Sequence, residues 1–118
     1  MMKKKNMKTG NYLERFPMRP EHIAWSADED GIVTLDIENK GFFNRLAQLL
    51  FKKPKVSHIH LDKMGSFIWP LMDGEKDIVK IGEIVKEHFG EKAEPLYERL
   101  ATFFKILDSY SFVKWNNE

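Results

Sequence analysis

The chain contains no cysteine, so neither a disulfide framework nor a thiolate zinc site is available to it. That usage suits a reducing compartment, and a cytoplasmic location is the expectation. No apolar run approaches the roughly 20 residues that a helix needs to span a bilayer. The basic opening M-M-K-K-K-N-M-K-T-G is followed by no apolar stretch and does not read as a secretory signal. Charge of one sign is lacking too. A formal net charge of +1 creates no global field to draw in nucleic acid or a membrane surface. A Gly-rich phosphate loop and a nucleophile elbow are both missing. The acidic residues are scattered over helix faces, where solvation is their default role. Asp62 and Asp73 flank a helix as its cap and its closing turn rather than forming a catalytic pair. These absences point to a protein that is not an enzyme and that needs no cofactor.

What is present is enough for a core. The 118 residues are 42% hydrophobic and 13% aromatic, which fits one domain. Residues 1–12 read as a disordered basic tail, 13–115 as the single domain and 116–118 as a short tail.

Period-two alternation marks three strands. Ile23 and Trp25 lie on a short one, and Asp30-Gly31 closes the turn after it. Gly31–Glu38 (G-I-V-T-L-D-I-E) turns Val33, Leu35 and Ile37 one way and Thr34 and Asp36 the other. These two strands are expected to form a hairpin. Val56–Leu61 (V-S-H-I-H-L) places Ile59 and Leu61 on one face and His58 and His60 on the other.

Between the second and third strands the period changes. Phe42, Phe43, Leu46, Leu49 and Leu50 form an i, i+3, i+4, i+7, i+8 stripe, an amphipathic helix over Phe42–Phe51. Three more helices follow the strands. Asp62 caps the first, whose apolar face is Leu61, Met64, Gly65, Ile68, Leu71 and Met72, with Pro70 near its end. Asp77 caps the second, Ile78–Phe89, and Gly90 is placed to terminate it. The last runs from about Glu94 to Tyr110 with Pro95 in its first turn. Its inward stripe is read as Leu96, Leu100, Phe103, Leu107 and Tyr110, with a second line of Tyr97, Ala101 and Phe104 beside it. Phe112–Trp115 is expected to dock back as a short extended piece. The predicted fold is α+β and winged helix-turn-helix-like. A short three-stranded antiparallel sheet packs against a three-helix bundle, with the extra amphipathic helix between strands two and three.

Several motifs together resemble the PqqD family. They are Trp25 with the G-I-V-T-L strand, and L-D-x-x-G-S-F-I-W-x-L-x-D-G over Leu61–Gly74. I-x-x-I-G-x-I-V-x-x-H-F-G follows over Ile78–Gly90, then an L-x-x-x-L-x-x-F helix ending near Phe112-Val113. The similarity covers roughly residues 17–113. The Phe42–Val56 segment looks longer and more helical than the simple connection expected in that family.

The resemblance implies binding rather than chemistry. Domains of this kind serve as recognition elements for ribosomally made, post-translationally modified peptides. A precursor's leader peptide adds as an extra strand beside the third strand and rests against the third helix of the fold. A maturation enzyme, often of the radical S-adenosylmethionine type, then receives it. On that expectation the peptide-binding residues are Val56, Ser57, His58, Ile59 and His60 on the strand, with Tyr97, Ala101 and Phe104 as the facing wall.

Other readings attach to the same residues. His58 and His60 could share a metal only if His22, Asp62 or His88 converged on them, and no metal is expected. A winged-helix DNA-binding regulator is the principal alternative. However, Lys92, Arg99 and Lys105 stand against Glu91, Glu94, Glu98 and Asp108, a poor match to a phosphate backbone. Finally, the Phe42–Phe51 helix could dock a partner protein or a second copy in a homodimer, making the chain an interaction subunit.

Overall fold

The computed structural model of the chain describes residues 11–38 and 56–116, so the basic stretch 1–10 and the expected Phe42–Phe51 helix lie outside the described residues. Three antiparallel strands form one sheet in the order β2 (Ala24–Ala27), β3 (Val33–Glu38), β4 (Val56–His60). A second, two-stranded sheet pairs β1 (Pro17–Met18) with β5 (Lys114–Trp115), which is the expected docking of the C-terminal piece. Three α-helices follow the main sheet: α1 (Lys63–Ile68), α2 (Ile78–Phe89) and α3 (Leu96–Ser109). The architecture is α+β, as the alternation and helical periods predict.

The hairpin between β2 and β3 forms as its residues dictate. The Asp28 carboxylate accepts from the N–H groups of Asp30 and Ile32, both at 2.9 Å, and Gly31 takes a φ of 81°. On β3, Val33 and Leu35 are fully buried, whereas Thr34 and Asp36 face the opposite side.

At this same end of β3 the sheet is joined to α1 by one hydroxyl. Val33 and Leu61 stand opposite each other just beyond the paired register, and the Leu61 N–H donates to the Val33 carbonyl at 2.9 Å. The reciprocal bond is replaced. The Val33 N–H donates to Ser66 Oγ at 2.8 Å, and that hydroxyl donates to the Leu61 carbonyl at 3.2 Å. Ser66 is buried, so all three groups depend on this arrangement for their partners.

Asp62 caps α1 through the Gly65 N–H at 2.7 Å, and Asp77 caps α2 through the Lys80 N–H at 2.8 Å. α1 is shorter than its apolar pattern suggests. It tightens at Trp69–Leu71 into a 3₁₀ turn containing Pro70. Three residues per turn rotate the face relative to an α-helix. Trp69 is therefore fully buried, although the helical spacing leaves it off the apolar face, while Leu71 is only half-buried. Pro95 precedes the first turn of α3 rather than lying in it, with an extended backbone at ψ 109°. Glu94 accepts from Lys86 of α2 and from the Leu96 N–H, contacts that hold its carboxyl below the usual carboxylate range.

Two residues that the sequence reading leaves to the tails make contacts with the domain. Tyr12, assigned to the tail from sequence, lies in a 3₁₀ turn over Asn11–Glu14, its ring edge-on to Trp115 at 5.7 Å. Arg15 sits over the Trp115 ring at 4.0 Å. Asn116, assigned to the other tail, donates its backbone N–H to Phe16 and its side-chain amide to Gly74, both at 2.8 Å. Aromatic and hydrogen-bonding surface on the opposite terminus supplies the partners that neither segment has alone.

Two measurements check this construction. Ser66→Ala leaves the Val33 N–H and the Leu61 carbonyl unpaired in a buried place, and is expected to lower unfolding free energy by about 1–3 kcal/mol in denaturant titration. A loss under about 0.5 kcal/mol would contradict the role given to the hydroxyl. The second concerns Tyr12, whose buried hydroxyl has no hydrogen-bond partner among the described residues. Burial raises its pKa above the usual phenol value, opposed by nearby Arg15 and reinforced by Asp108. A raised folded-state pKa contributes stability that is present below the unfolded value of about 10 and is lost as pH climbs through the folded value. Tyr12→Phe should be at least as stable at neutral pH, and its advantage should widen above about pH 10. An advantage that narrows there would refute the assignment.

Candidate functional site

β4 has one sheet neighbour among the described residues, β3, and so presents an edge. The hydrogen-bonding direction along that edge follows from the pairing. Leu61 bonds Val33, and bonded and non-bonded positions alternate in an antiparallel ladder. Ile59 opposite Leu35 and Ser57 opposite Ile37 therefore also face β3. The main-chain groups of Val56, His58 and His60 are turned outward. The other side of β3 agrees, because the Asp28 N–H donates to Ile32, which assigns Thr34 and Asp36 to β2.

The two faces of this edge differ in chemistry. His60 stands opposite Thr34 and His58 opposite Asp36, both at non-bonded positions where side chains approach most closely. His60 Nδ1 is 2.8 Å from Thr34 Oγ1, and His58 Nδ1 is 2.7 Å from Asp36 Oδ1. The outer face is thus polar and exposed. The inner face opens into a cavity of about 520 Å³ between β4 and α3. Ile59, His60, Leu61 and Asp62 border one side, and Phe103, Ile106, Leu107, Tyr110 and Phe112 the other, and most of its surface is apolar. Ile106 and Tyr110 are 51% and 65% exposed, which is high for large apolar and aromatic side chains. Around Phe103 and Ile106 this groove meets a second cavity of about 380 Å³ that reaches Gly65, Glu98, Arg99 and Thr102.

The wall differs from the expected one. Tyr97, Ala101 and Phe104 do not line the groove. Phe104 is fully buried and continues the Leu96, Leu100 stripe into the core. Tyr97 turns toward α2, where a Cβ on Gly82 would lie 2.9 Å from the tyrosine ring, so the missing side chain admits it. Phe103, expected in the inward stripe, is only half-buried and lies at the groove. Phe103 and Phe104 are adjacent on the helix and identical in type, so periodicity alone could not tell which one faces the sheet. Gly65 sets the position of the phenyl ring, because a Cβ there would stand 2.9 Å from Phe103 Cε1. Ile106 was not singled out in the sequence. The i, i+3, i+7 line Phe103, Ile106, Tyr110 is the signal that carries it.

The strand half of the expected site is assembled together: Val56, Ser57, His58, Ile59 and His60 form β4 itself. Two of the three residues considered as further metal ligands are engaged elsewhere. Asp62 caps α1, and the His88 ring stacks on Phe67 at 4.3 Å. Among the described residues no group of three or more His, Asp or Glu is placed to hold a metal ion, and no helix is long and apolar enough to cross a membrane. Both cations of α3 are engaged locally, Arg99 with the Lys92 carbonyl at 2.9 Å and Lys105 over the Tyr12 ring at 5.7 Å.

Comparison with curated proteins gives no match, and comparison with solved structures gives none. The profile of the family described as Coenzyme PQQ synthesis protein D (PqqD) matches residues 31–113, most of the chain and a shorter span than the 17–113 expected, leaving Trp25 outside. On that match, the chain belongs to the PqqD family.

Proposed function

We propose that this protein binds the leader segment of a ribosomally made precursor peptide as a fourth strand on β4 and presents it to a maturation enzyme. Membership of a family of recognition elements for such peptides supports peptide binding in general. The observation that carries the reading here is a strand edge that meets no further strand among the described residues and borders an apolar groove. An added strand takes up the outward main-chain groups of Val56, His58 and His60, which supplies affinity without sequence choice. Its inward side chains fill the space between Ile59, Leu61 and α3, which supplies selectivity. The chain acts as a non-catalytic accessory that holds the peptide extended. The receiving enzyme is of the radical S-adenosylmethionine type.

The reading is tested by amide-shift titration with the leader of a precursor encoded nearby. Shifts should concentrate at Val56–His60 and at Phe103, Ile106 and Tyr110. Shifts gathered elsewhere, or no shift with any neighbouring precursor, would remove the proposal. Ile106→Ser separates binding from folding. Because Ile106 is half exposed, stability should change by no more than about 0.5–1 kcal/mol, whereas peptide affinity should fall about tenfold. Unchanged affinity in the folded variant would exclude the groove.

A further inference from the structure

If a peptide adds at β4, the register of the sheet also dictates which of its residues are read, and by what. Residues in register across a sheet share a face, whichever way the added strand runs. Positions opposite Ser57, Ile59 and Leu61 therefore point inward, and those opposite His58 and His60 point outward. Of the three inward positions only two meet the cavity, because Ile59 and Leu61 line it and Ser57 does not. Between them lies the position opposite His60, whose ring pairs with Thr34 on the exposed face although the residue also borders the cavity. There the outer face consists of Thr34, Asp36, His58 and His60, tied in pairs at 2.7–2.8 Å. Nδ1 of each ring is engaged on β3.

We propose that the site selects a segment of the form apolar–polar–apolar. Two large apolar side chains spaced by one residue enter the single 520 Å³ cavity, and the polar side chain between them lies on the outer face against His60. This rests on strand addition at β4 and goes beyond it, since strand addition alone places no demand on spacing. A cavity of this size falls within the range that holds a small ligand, so two side chains can share it. Inserting one residue between the apolar positions sends the second onto the polar face and leaves half the cavity unfilled.

The test uses the full chain and a random peptide display library. Enriched peptides should share two large apolar residues separated by one polar residue. A synthetic peptide with the strongest enriched sequence should shift the amides of His58 and His60. The same peptide with one residue inserted between its apolar positions should bind at least about tenfold more weakly. Equal affinity of the two, with the β4 amides still shifting, would overturn the spacing rule and leave strand addition standing. Selected peptides that shift no β4 amide, or a selection that enriches none competing there, would count against strand addition and the rule together.

Discussion

The Ser66 hydroxyl, buried between β3, β4 and α1, accepts from the Val33 N–H and donates to the Leu61 carbonyl, and the placement of the other elements follows from that wedge. It ends the β3–β4 ladder at Leu61 and turns the chain at Asp62 into α1, whose first turn the Asp62 carboxylate closes. Leaving the buried Val33 donor and the part-buried Leu61 acceptor without this partner would cost about 1–3 kcal/mol together, which opposes slippage of the chain relative to the sheet at this point. Because the ladder is pinned at Val33 opposite Leu61, the alternation along β4 is pinned too. Which strand residues face outward thus depends on a serine that lies outside the strand.

From the same junction comes the separation between β4 and α3. Gly65 precedes Ser66, and its lack of a side chain admits the Phe103 ring. Gly82 does the same for Tyr97 and Leu100 where α2 meets α3. With both approaches set, α3 sinks Leu100 and Phe104 into the core and holds Phe103, Ile106 and Tyr110 at the rim. The N-terminal 3₁₀ turn and β5 brace the far side of the helix through Tyr12, Arg15 and Trp115, and Asp108 accepts from the Trp115 indole at 3.2 Å. The groove is therefore a product of helix packing.

How much of this was legible in the sequence varies with the kind of signal. Strand alternation located β3 and β4 and the two faces of each, since a period of two allows one assignment once the buried face is known. Capping chemistry located the starts of α1 and α2, because Asp62 and Asp77 act on amides three residues away. The strand side of the site was legible for the same reason. The helix side was not. At 100° per residue, Phe103 and Phe104 straddle the boundary of the apolar face, and only the position of the sheet decides between them. Ile106 belongs to neither stripe read from the sequence, and its place at the groove follows from the position of β4. Trp69 escaped because Pro70 draws the chain into a 3₁₀ turn, which changes the period at that point. The placement of Tyr12 and Asn116 rests on contacts between segments far apart in sequence, which no local pattern encodes.

Amide hydrogen exchange along β4, measured with and without a bound leader peptide, tests the account most directly. Strand addition satisfies the outward N–H groups and leaves those already bonded to β3 as they were. Exchange at Val56, His58 and His60 should slow on binding, while Ser57 and Ile59 change little, an alternating pattern along five consecutive residues. Uniform slowing across β4, or slowing at Ser57 and Ile59 instead, would show that the peptide does not add as a strand at this edge.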